Sequence, residues 1–460
     1  MTERTPTSEA FPFPPGPKSP ALSQHRNPFA TPSGAGTPGI RTPGGGLRAS
    51  AFHLPASKGN TYFRSRRIRD VSTISKPWTA NPDKSQKWHT IFPTVGLIVG
   101  LLATAAAVYQ GTTTVTNNKY CSVYEVDFAT DGQLDPNIWT KELNVGGFGN
   151  GDFAEATDSE ENVFIKDGYL HIKPTLQDEK LIQEDSFIDL TKQGCIGATW
   201  KDCHAVTNTT NGTIVPPARS ARVNTKKGVS IQYGRIEVEA QIPEGDWLWP
   251  AVWMMPVEDT YGAWPNSGEI DIMESRGNNH TYKMGGNNIA SSALHWGPNK
   301  DLDAWYQTHN MREALHQSYT KRTWTFGLEW SEKYLFTYID ARPKQVLYTS
   351  FNRPFWQRGN FKPQQDDNGT MIVDPWSQTG KPSTPFDQPF YLILNVAVGG
   401  NNGWFPDGLQ SKPWVDLSPS AKLDFWNARD KWYPTWGENS AMKIKSVKMW
   451  QQAGYRGCTG

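Results

Sequence analysis

The sequence has almost no net charge, and this small value conceals a clear asymmetry. Its 460 residues contain 46 Lys and Arg against 45 Asp and Glu, a net charge of +1. Residues 1–90 hold 13 basic and 4 acidic residues, whereas the rest of the chain holds 33 and 41. A mildly acidic C-terminal part argues against nucleic acid as its ligand and suits a neutral polymer.

The sequence also has few cysteines, and their spacing fits no common zinc motif. An even number of cysteines outside the cytoplasm indicates disulfide bonds rather than metal ligation, and four cysteines allow three pairings. We expect a Cys195–Cys203 bond, which would close a short loop. We also expect a Cys121–Cys458 bond, which would join the two ends of the C-terminal domain.

Long apolar runs are scarce, and only residues 91–109 form one. These 19 residues carry no charge, and as a helix they can cross about 30 Å of hydrocarbon. A cleaved signal peptide would need its apolar segment within about 30 residues of the N-terminus, and here it begins at residue 91. Because basic residues precede the run, the positive-inside rule predicts a single-pass type II membrane protein with a cytoplasmic N-terminus.

The predicted transmembrane helix divides the chain into unlike parts. Residues 1–90 are basic and begin with a stretch rich in Pro, Ser and Gly. Such a stretch cannot bury enough apolar surface to fold, so we expect a disordered cytoplasmic tail. Residues 110–119 are polar and predict a short stalk. Residues 120–460 then form a lumenal or extracellular domain, in the secretory pathway or at the plasma membrane.

The C-terminal domain has the sequence pattern of an all-β protein. Alternating apolar and polar residues recur in short stretches that are separated by Gly, Pro, Asn and Asp, as in antiparallel sandwiches. Only residues 302–316 look helical. The pattern predicts a sandwich of two antiparallel sheets. The alternating stretches lie at residues 122–128, 162–174, 220–225, 229–242, 323–330, 334–340, 390–398 and 442–451.

One stretch, residues 268–274, carries three closely spaced acidic residues. Glu269, Asp271 and Glu274 lie within six residues and are separated by apolar side chains. On a strand, Glu269 and Asp271 share a face, but strict alternation would turn Glu274 to the opposite face. A β-bulge near Met273 would return Glu274 to the face of Glu269. We therefore expect a row of three carboxylates.

Such a row predicts a specific kind of chemistry. Like charges repel, so at least one carboxyl group should have a raised pKa. Glycoside cleavage uses two carboxyl groups with separated pKa values, and a retaining enzyme holds them about 5–5.5 Å apart. An acidic edge strand with solvated carboxylates is the alternative interpretation. Tryptophans flank the stretch on both sides, and because aromatic rings stack on sugars, they favour a carbohydrate cleft.

The sequence around these carboxylates resembles glycoside hydrolase family 16, in the form with one extra residue that laminarinases have. The resemblance covers roughly residues 120–455. Within the family, these residues are especially similar to the glucanase-like domain of β-1,3-glucan recognition proteins. The family signature usually ends in a small residue or proline, where this chain has His280. The matching segments are Glu-Ile-Asp-Ile-Met-Glu at 269–274, Ser-Ala-Arg at 220–222, Tyr-Gly-Arg-Ile-Glu at 233–237, and residues 245–253 and 394–400.

The resemblance implies a β-jelly roll of two curved sheets with the cleft across the concave face. It also assigns the roles that the chemistry suggests, with Glu269 as nucleophile and Glu274 as acid/base. Asp271 lies between them and is expected to hydrogen-bond Glu269. Some members of the family carry a structural calcium ion, but no ligand cluster in this sequence demands one. We therefore expect no cofactor and no metal site.

Seven residues near the carboxylates are candidates for substrate binding. Three of the four tryptophans among them, Trp249, Trp253 and Trp264, are suited to be sugar platforms, although each could equally well pack in the core. His295 could polarise Glu274 or bind sugar, or it could be structural. Arg235 is expected either to pair with Glu237 or to contact the rim of the cleft. The set consists of Trp249, Trp253, Trp264, His295, Trp296, Asn395 and Arg235.

Four Asn-x-Thr triplets follow the predicted transmembrane helix, which agrees with a lumenal or extracellular domain. Each is a candidate site for N-glycosylation on a surface loop. The acceptor residues are Asn208, Asn211, Asn279 and Asn368.

The sequence supports more than one function. The leading hypothesis is a membrane-anchored retaining glycosidase that cleaves β-1,3- or mixed β-1,3/1,4-glucan, with a role in remodelling cell-wall glucan. A transglycosylase in wall assembly would use the same carboxylates with another acceptor. A β-glucan-binding module without turnover is the alternative from a different class. Glucan recognition proteins often lack the glutamates, and their presence here favours catalysis.

Overall fold

The computed structural model describes residues 67, 69–80, 84–114, 118–195, 197–365, 369 and 371–459. Most of the predicted N-terminal tail lies outside the described residues, and so does Asn368.

Helices make up a small part of the described residues. The α-helices are α1 Pro77–Ala80, α2 Gln86–Thr114, α3 Glu179–Gln183, α4 Trp200–Cys203, α5 Phe355–Arg358, α6 Ala421–Asn427 and α7 Arg429–Trp432. Single 3-10 turns lie at Val71–Thr73, Thr191–Gln193, Lys300–Leu302, Trp305–Gln307, Ser377–Thr379 and Tyr433–Thr435.

Helix α2 contains the apolar run that the sequence singles out. Among the described helices, α2 alone is long and apolar enough to cross a membrane, with a mean hydropathy of 2.2. None of the residues in its most apolar part is buried. The hydroxyls of Thr94 and Thr104 donate to the carbonyls of Thr90 and Gly100 one turn earlier. These polar side chains therefore have partners on the helix itself. Length and composition are those of a membrane span, and the anchor stays a prediction.

The rest of the described chain is mostly strand, beginning at Tyr120. The strands before residue 225 are β1 Tyr120–Asp127, β2 Thr140–Lys141, β3 Ala154–Ala156, β4 Val163–Lys166, β5 Tyr169–Ile172, β6 Thr175–Leu176, β7 Ser186–Asp189, β8 His204–Thr207, β9 Ala218–Ser220 and β10 Arg222–Asn224. They are followed by β11 Gly234–Gln241, β12 Leu248–Pro256, β13 Glu269–Glu274, β14 Ile289–His295, β15 His309–Glu313, β16 Trp324–Trp330, β17 Tyr334–Ile339, β18 Gln345–Ser350, β19 Gln364–Gln365, β20 Met371–Ile372, β21 Phe390–Val398 and β22 Met442–Gln452.

Two large antiparallel sheets organise these strands. The eight-stranded sheet has the order β18-β17-β16-β11-β22-β5-β4, and β1 also pairs with β22. The seven-stranded sheet has the order β15-β14-β13-β12-β21-β10-β2. Smaller sheets are formed by β3, β9 and β6, by β7 and β8, and by β19 and β20.

The core lies between the two large sheets. On β11 of the eight-stranded sheet, the fully buried Ile236 and Val238 alternate with the half-buried Arg235 and Glu237. Apolar residues from strands of the seven-stranded sheet, such as Ile270, belong to the same continuous apolar cluster. Apolar residues at every second position decide which face of each sheet turns inward. The predicted all-β sandwich is confirmed.

Residues 302–316, which were expected to be helical, do not form an α-helix. Two 3-10 turns precede strand β15, which pairs with β14 along its length. The carboxylate of Asp303 accepts the backbone N–H groups of Trp296 at 3.1 Å and Trp305 at 3.2 Å and fixes this turn. Pairing with the edge of the sheet therefore overrides the local helical spacing.

Both predicted disulfide bonds are present. Cys121 on β1 bonds Cys458, which follows β22, and this bond closes a separation of 337 residues. Cys195 bonds Cys203 across a separation of eight residues, next to strand β8.

Candidate active site

Strand β13 carries the three predicted carboxylates and contains one extra residue. Opposite β12, Asp271 and Met273 pair with consecutive residues, so that Ile272 has no partner. The pairing with β14 shifts by one residue between Asp271 and Glu274. This irregularity is the β-bulge that the sequence predicts near Met273.

The bulge brings all three carboxylates into one cleft on the outer face of the seven-stranded sheet. Ile270 and Ile272, which lie between them, are buried in the core on the opposite side. The expected row of carboxylates is therefore present. The cleft is lined by Gly147, Phe148, Asn150, Asp152, Arg222, Trp249, Ala251, Trp253, Glu269, Asp271, Glu274, Asn395 and Ala397.

Two tryptophan indoles donate hydrogen bonds to the two glutamates. Trp249 Nε1 donates to Glu274 Oε1 at 2.9 Å. Trp264 Nε1 donates to Glu269 Oε2 at 2.7 Å. Each bond fixes one carboxylate oxygen and leaves the other oxygen of that glutamate available to react. The two tryptophans thus position the carboxylates, besides any contact that they make with a sugar.

The carboxylates differ in their electrostatic environment. Burial raises the pKa of Asp271 well above its usual value, and the charges of Glu269 and Glu274 add to this shift, as does a hydrogen bond to Glu269. Burial also raises the pKa of Glu274, although the charge of His295 and the hydrogen bond from Trp249 act in the opposite direction. A carboxyl group with a raised pKa can hold a proton for donation.

His295 lies beside the carboxylates and is held by a second acid. Its Nδ1 atom is 2.5 Å from Asp303 Oδ2, and its Nε2 atom is 3.4 Å from Asp271 Oδ2. Burial opposes the charged ring, but the hydrogen bond to Asp303 and the charge of Glu269 outweigh it and raise the pKa of His295 to about 9. His295 is therefore a cation at neutral pH and offsets part of the negative charge of the cleft.

Glu269, Asp271 and His295 could also be read as metal ligands, because one donor atom from each lies within 4.8 Å of the others. The donors already interact with one another, since Asp271 hydrogen-bonds Glu269 and the protonated ring of His295 faces Asp271. The hydrogen-bonded arrangement accounts for this cluster without a metal.

The floor of the cleft beside Glu269 is formed by Trp253 and Asn395. Trp253 Nε1 donates to Asn395 Oδ1 at 2.7 Å, and both side chains are half-buried in the cleft. The guanidinium of Arg222 lies 4.7 Å from the centroid of the Trp253 ring and 4.1 Å from that of Phe148. Trp253 and Asn395 therefore both line the cleft, and the guanidinium of Arg222 packs against the Trp253 ring.

One wall of the cleft, formed by Trp249, is backed by a stack of side chains that the sequence did not predict. Trp404 stacks on Trp249 with ring centroids 4.7 Å apart and planes 10° from parallel. On the other side of Trp404, the Arg276 guanidinium lies 4.0 Å from the ring centroid and donates twice to the Trp404 carbonyl. Arg276 follows Glu274 by two residues, so its position was a signal for this wall. Trp404 comes from a distant loop, and nothing in the sequence around it predicts its position.

Trp296 does not belong to the cleft, contrary to expectation. It is fully buried and packs edge-on against Phe355 and Trp376 in the core. Its indole N–H donates to Thr308 Oγ1 at 2.8 Å and needs no ligand. Because successive residues of a strand point to opposite faces, His295 and Trp296 cannot both face the cleft.

Arg235 is also absent from the cleft. It lies on β11 in the eight-stranded sheet, on the face that points away from the core. There it pairs with Glu237, as one of the two interpretations of the sequence proposed, and Arg235 Nε donates to the Tyr338 hydroxyl at 2.9 Å. The expected contact with substrate is therefore wrong, since the two sheets separate Arg235 from the carboxylates.

Three of the four predicted glycan acceptors lie among the described residues. Asn208, Asn211 and Asn279 are exposed, and the side-chain oxygen of each accepts a backbone N–H within its own turn. Exposed turns are accessible to modification. Asn368 lies outside the described residues, and glycosylation of all four stays a prediction.

Comparison with known proteins gives concordant results. The profile of glycosyl hydrolases family 16 matches residues 193–379. A β-1,3-glucan-binding protein from Penaeus monodon is 38% identical over 356 residues, which is 72% of this chain and 90% of that protein. Glucan endo-1,3-beta-glucosidase A1 from Niallia circulans is 27% identical over 363 residues, 76% of this chain and 41% of that protein.

A solved structure is also similar. The catalytic domain of an endo-1,3-beta-glucanase (laminarinase) from Thermotoga petrophila RKU-1 is 22% identical, with a TM-score of 0.47. The match covers 73% of this chain and 100% of that domain.

Proposed function

Since this chain belongs to glycosyl hydrolase family 16, we propose that it is a glycosidase that cleaves β-1,3- or mixed β-1,3/1,4-glucan with retention of anomeric configuration. The observation that carries this proposal is the cleft in which Glu269 and Glu274 flank Asp271 on one strand. Each glutamate is fixed by a tryptophan N–H, and burial raises the pKa of Glu274.

In the first step, Glu269 acts as the nucleophile. Its carboxylate oxygen that is not bonded to Trp264 attacks the anomeric carbon, while the glycosidic bond to the leaving sugar breaks. Glu274 transfers its proton to the leaving oxygen, which departs as a hydroxyl group. The product is a glycosyl ester on Glu269, and Glu274 is left ionised.

In the second step, Glu274 acts as a base. It removes a proton from a water molecule or from the hydroxyl group of another glucan, and that oxygen attacks the anomeric carbon. The ester bond to Glu269 breaks, and both glutamates return to their starting states. The two carboxyl groups complete this cycle without a cofactor.

Asp271 and His295 support the two glutamates without touching the reacting atoms. A protonated Asp271 donates to Glu269 and so stabilises the nucleophile as an anion of defined orientation. The cationic His295, held by Asp303, prevents the pKa of Glu274 from rising so far that the base step would become difficult. Both are positioning residues.

A second function is supported by the relative from Penaeus monodon, which is named as a β-1,3-glucan-binding protein. In that case the cleft would bind a glucan chain without cleaving it. The same cleft also supports transglycosylation in wall assembly, in which a glucan hydroxyl replaces water in the second step. The carboxylates are common to all three, so the products decide among them.

The test is to incubate the full-length chain, purified in mild detergent, with laminari-oligosaccharides and to resolve the products by mass. A Glu269→Gln variant is the matched control, because it keeps the shape of the side chain and removes the nucleophile. We expect shorter products from the parent and at least about a hundredfold less from the variant. Longer products indicate transglycosylation. Saturable binding without products from either protein contradicts the glycosidase.

We further propose that α2 anchors the chain in a membrane of the secretory pathway or plasma membrane, with residues 120–460 lumenal or extracellular and acting in cell-wall glucan remodelling. An apolar helix of this length without burial and a basic segment before it support the proposal. Resistance of the chain to carbonate extraction, with loss of mass on removal of N-glycans, is the expected result. Release by carbonate would contradict it.

A further inference from the structure

A cluster of three aromatic rings, two of them exposed, lies outside the cleft, on strands β7 and β8 and on helix α4 between them. Trp200 and Phe187 are 58% and 55% exposed. The ring of His204 stacks on Trp200 at 4.6 Å, with planes 4° from parallel, and the Phe187 centroid lies 5.7 Å from His204 and 6.3 Å from Trp200. We call these three residues the aromatic platform. Contiguous exposed rings mark binding surfaces, unlike single exposed apolar side chains.

The aromatic platform is held rigidly by the chain beneath it. The disulfide bond between Cys195 and Cys203 closes the segment that carries Trp200. His204 Nδ1 lies 2.9 Å from the Trp200 carbonyl oxygen, and Thr199 N donates to Asp202 Oδ2 at 2.7 Å. The rings therefore keep their arrangement without a ligand, and binding would cost little conformational entropy.

The aromatic platform is continuous with the wall of the cleft. The N–H of Val145 donates to the carbonyl of Asp202 at 2.8 Å. A Cβ atom on Gly146 would lie 2.9 Å from the Lys201 carbonyl oxygen and 3.0 Å from Asp202 Cα, so the two backbones are in direct contact. The next residue, Gly147, lines the cleft. Trp200 and Asp202 are two positions apart in the chain, a span of at most about 7 Å.

We propose that the aromatic platform is a second carbohydrate-binding site, which takes the part of a long β-glucan chain that extends beyond the cleft. This inference rests on the proposed function. The C–H faces of pyranose rings are apolar, and they stack on exposed indole and phenyl rings. Because the glucan is neutral, its binding to the aromatic platform does not depend on ionic strength.

The test measures binding separately from cleavage. Full-length Glu269→Gln protein, which does not consume the ligand, is titrated with a long soluble β-1,3-glucan and with laminaritriose, which fits within the cleft. Trp200→Ala and Phe187→Ala are added to this background. We expect Kd for the long glucan to rise roughly two- to tenfold and Kd for laminaritriose to stay unchanged.

Two control variants make the result specific. Tyr348→Ala removes an aromatic ring with 57% exposure on β18, in the other large sheet, and is expected to bind both ligands like the parent. Trp200→Phe keeps an aromatic face and is expected to restore most of the affinity. This variant and the Tm of each protein show whether weaker binding results from the loss of a ring–sugar contact or from misfolding of the hairpin.

The proposal is overturned if the variants of the aromatic platform bind the long glucan as tightly as the parent does. It is also overturned if they raise Kd for laminaritriose by the same factor as Kd for the long glucan. Product formation by protein with Glu269 intact is measured in parallel. Platform-dependent binding without products would contradict the glycosidase but support the second site.

Discussion

The proton affinity of Glu274 is set by neighbours that act in opposite directions. Burial raises its pKa, while the charge of His295 and the N–H of Trp249 lower it. An acid/base must be protonated in the first step and ionised in the second, so a balance of this kind suits the role. The residues that control the balance can be changed one at a time.

The Trp249→Phe variant removes the N–H group that stabilises ionised Glu274 and keeps the aromatic ring. The pKa of Glu274 should then rise. Because the first step needs the protonated acid, kcat/KM falls as pH rises through this pKa. The alkaline limb of the pH profile of kcat/KM should therefore move to higher pH in the variant.

The matched control for this experiment is Trp253→Phe. Its indole N–H donates to Asn395 and not to a carboxylate, so the alkaline limb should stay in place. An equal displacement in both variants, or none in Trp249→Phe, would show that Glu274 is not the group that titrates.

Asp271 should lower stability as well as support catalysis. Its pKa is raised in the folded state, so folding disfavours the ionised form, and the cost appears as pH rises above the pKa of the unfolded chain. An Asp271→Asn variant carries no such cost. Its Tm should exceed that of the parent at pH 7, and the difference should shrink toward pH 4. A difference that is constant with pH, or reversed in sign, would contradict this account.

The strand β13 shows how far an element can be predicted from sequence. The alternation of Glu269, Ile270 and Asp271 predicts which side chains face the cleft. The position of Glu274 predicts the bulge, because without it the glutamate would point into the apolar core, where an unpaired carboxylate is costly to bury. The period of two also excludes Trp296 once His295 faces the cleft. Arg235 could not be placed in this way. Alternation predicts on which face of its strand Arg235 lies, but it does not predict to which of the two sheets that strand belongs.

Other parts of the site depend on contacts between distant segments. Gly147, Phe148 and Asn150 line the cleft from the connection between β2 and β3. Trp404, from the loop after β21, stacks on Trp249, which lines the cleft. Nothing local in these segments specifies where they pack. The helical spacing of residues 302–316 was likewise overridden by pairing with β14.

The bulge can be tested directly by deleting Ile272, the residue without a partner on β12. Without this residue, regular alternation alone places Glu269, Asp271 and Glu274 on one face. The account therefore expects the deletion variant, whose strand needs no bulge, to retain glucan cleavage. Ile272→Val, which only shortens the side chain, should keep the activity within a few-fold of the parent. Loss of cleavage in a deletion variant that keeps the Tm of the parent would contradict this account of how Glu274 is positioned.

At the scale of the whole domain, the two disulfide bonds have unequal importance. The Cys121–Cys458 bond restricts a loop of 337 residues in the unfolded chain, whereas Cys195–Cys203 restricts eight. In the chain-entropy view, such bonds contribute about 5–6 and about 2–3 kcal/mol to the free energy of unfolding. The longer loop therefore accounts for more of the stability of the sandwich.

Replacement of each cysteine pair by serine tests this order. The Cys121→Ser/Cys458→Ser protein should unfold at a lower urea concentration than the Cys195→Ser/Cys203→Ser protein, and both should unfold before the parent. The loop that the Cys195–Cys203 bond closes lies beneath the aromatic platform. Loss of this bond should therefore also weaken binding of long glucan. The reverse order of the urea midpoints would contradict the argument.

The central claim is that Glu269 forms a covalent bond with the sugar. The most direct measurement is mass spectrometry of peptides from the full-length chain after reaction with a 2-fluoro β-glucoside that carries a good leaving group, which slows the second step. The account predicts one added glycosyl unit on the peptide with residues 269–274, fragmenting to Glu269, and none in Glu269→Gln. Cleavage of glucan without this adduct, or an adduct on Glu274, would contradict it.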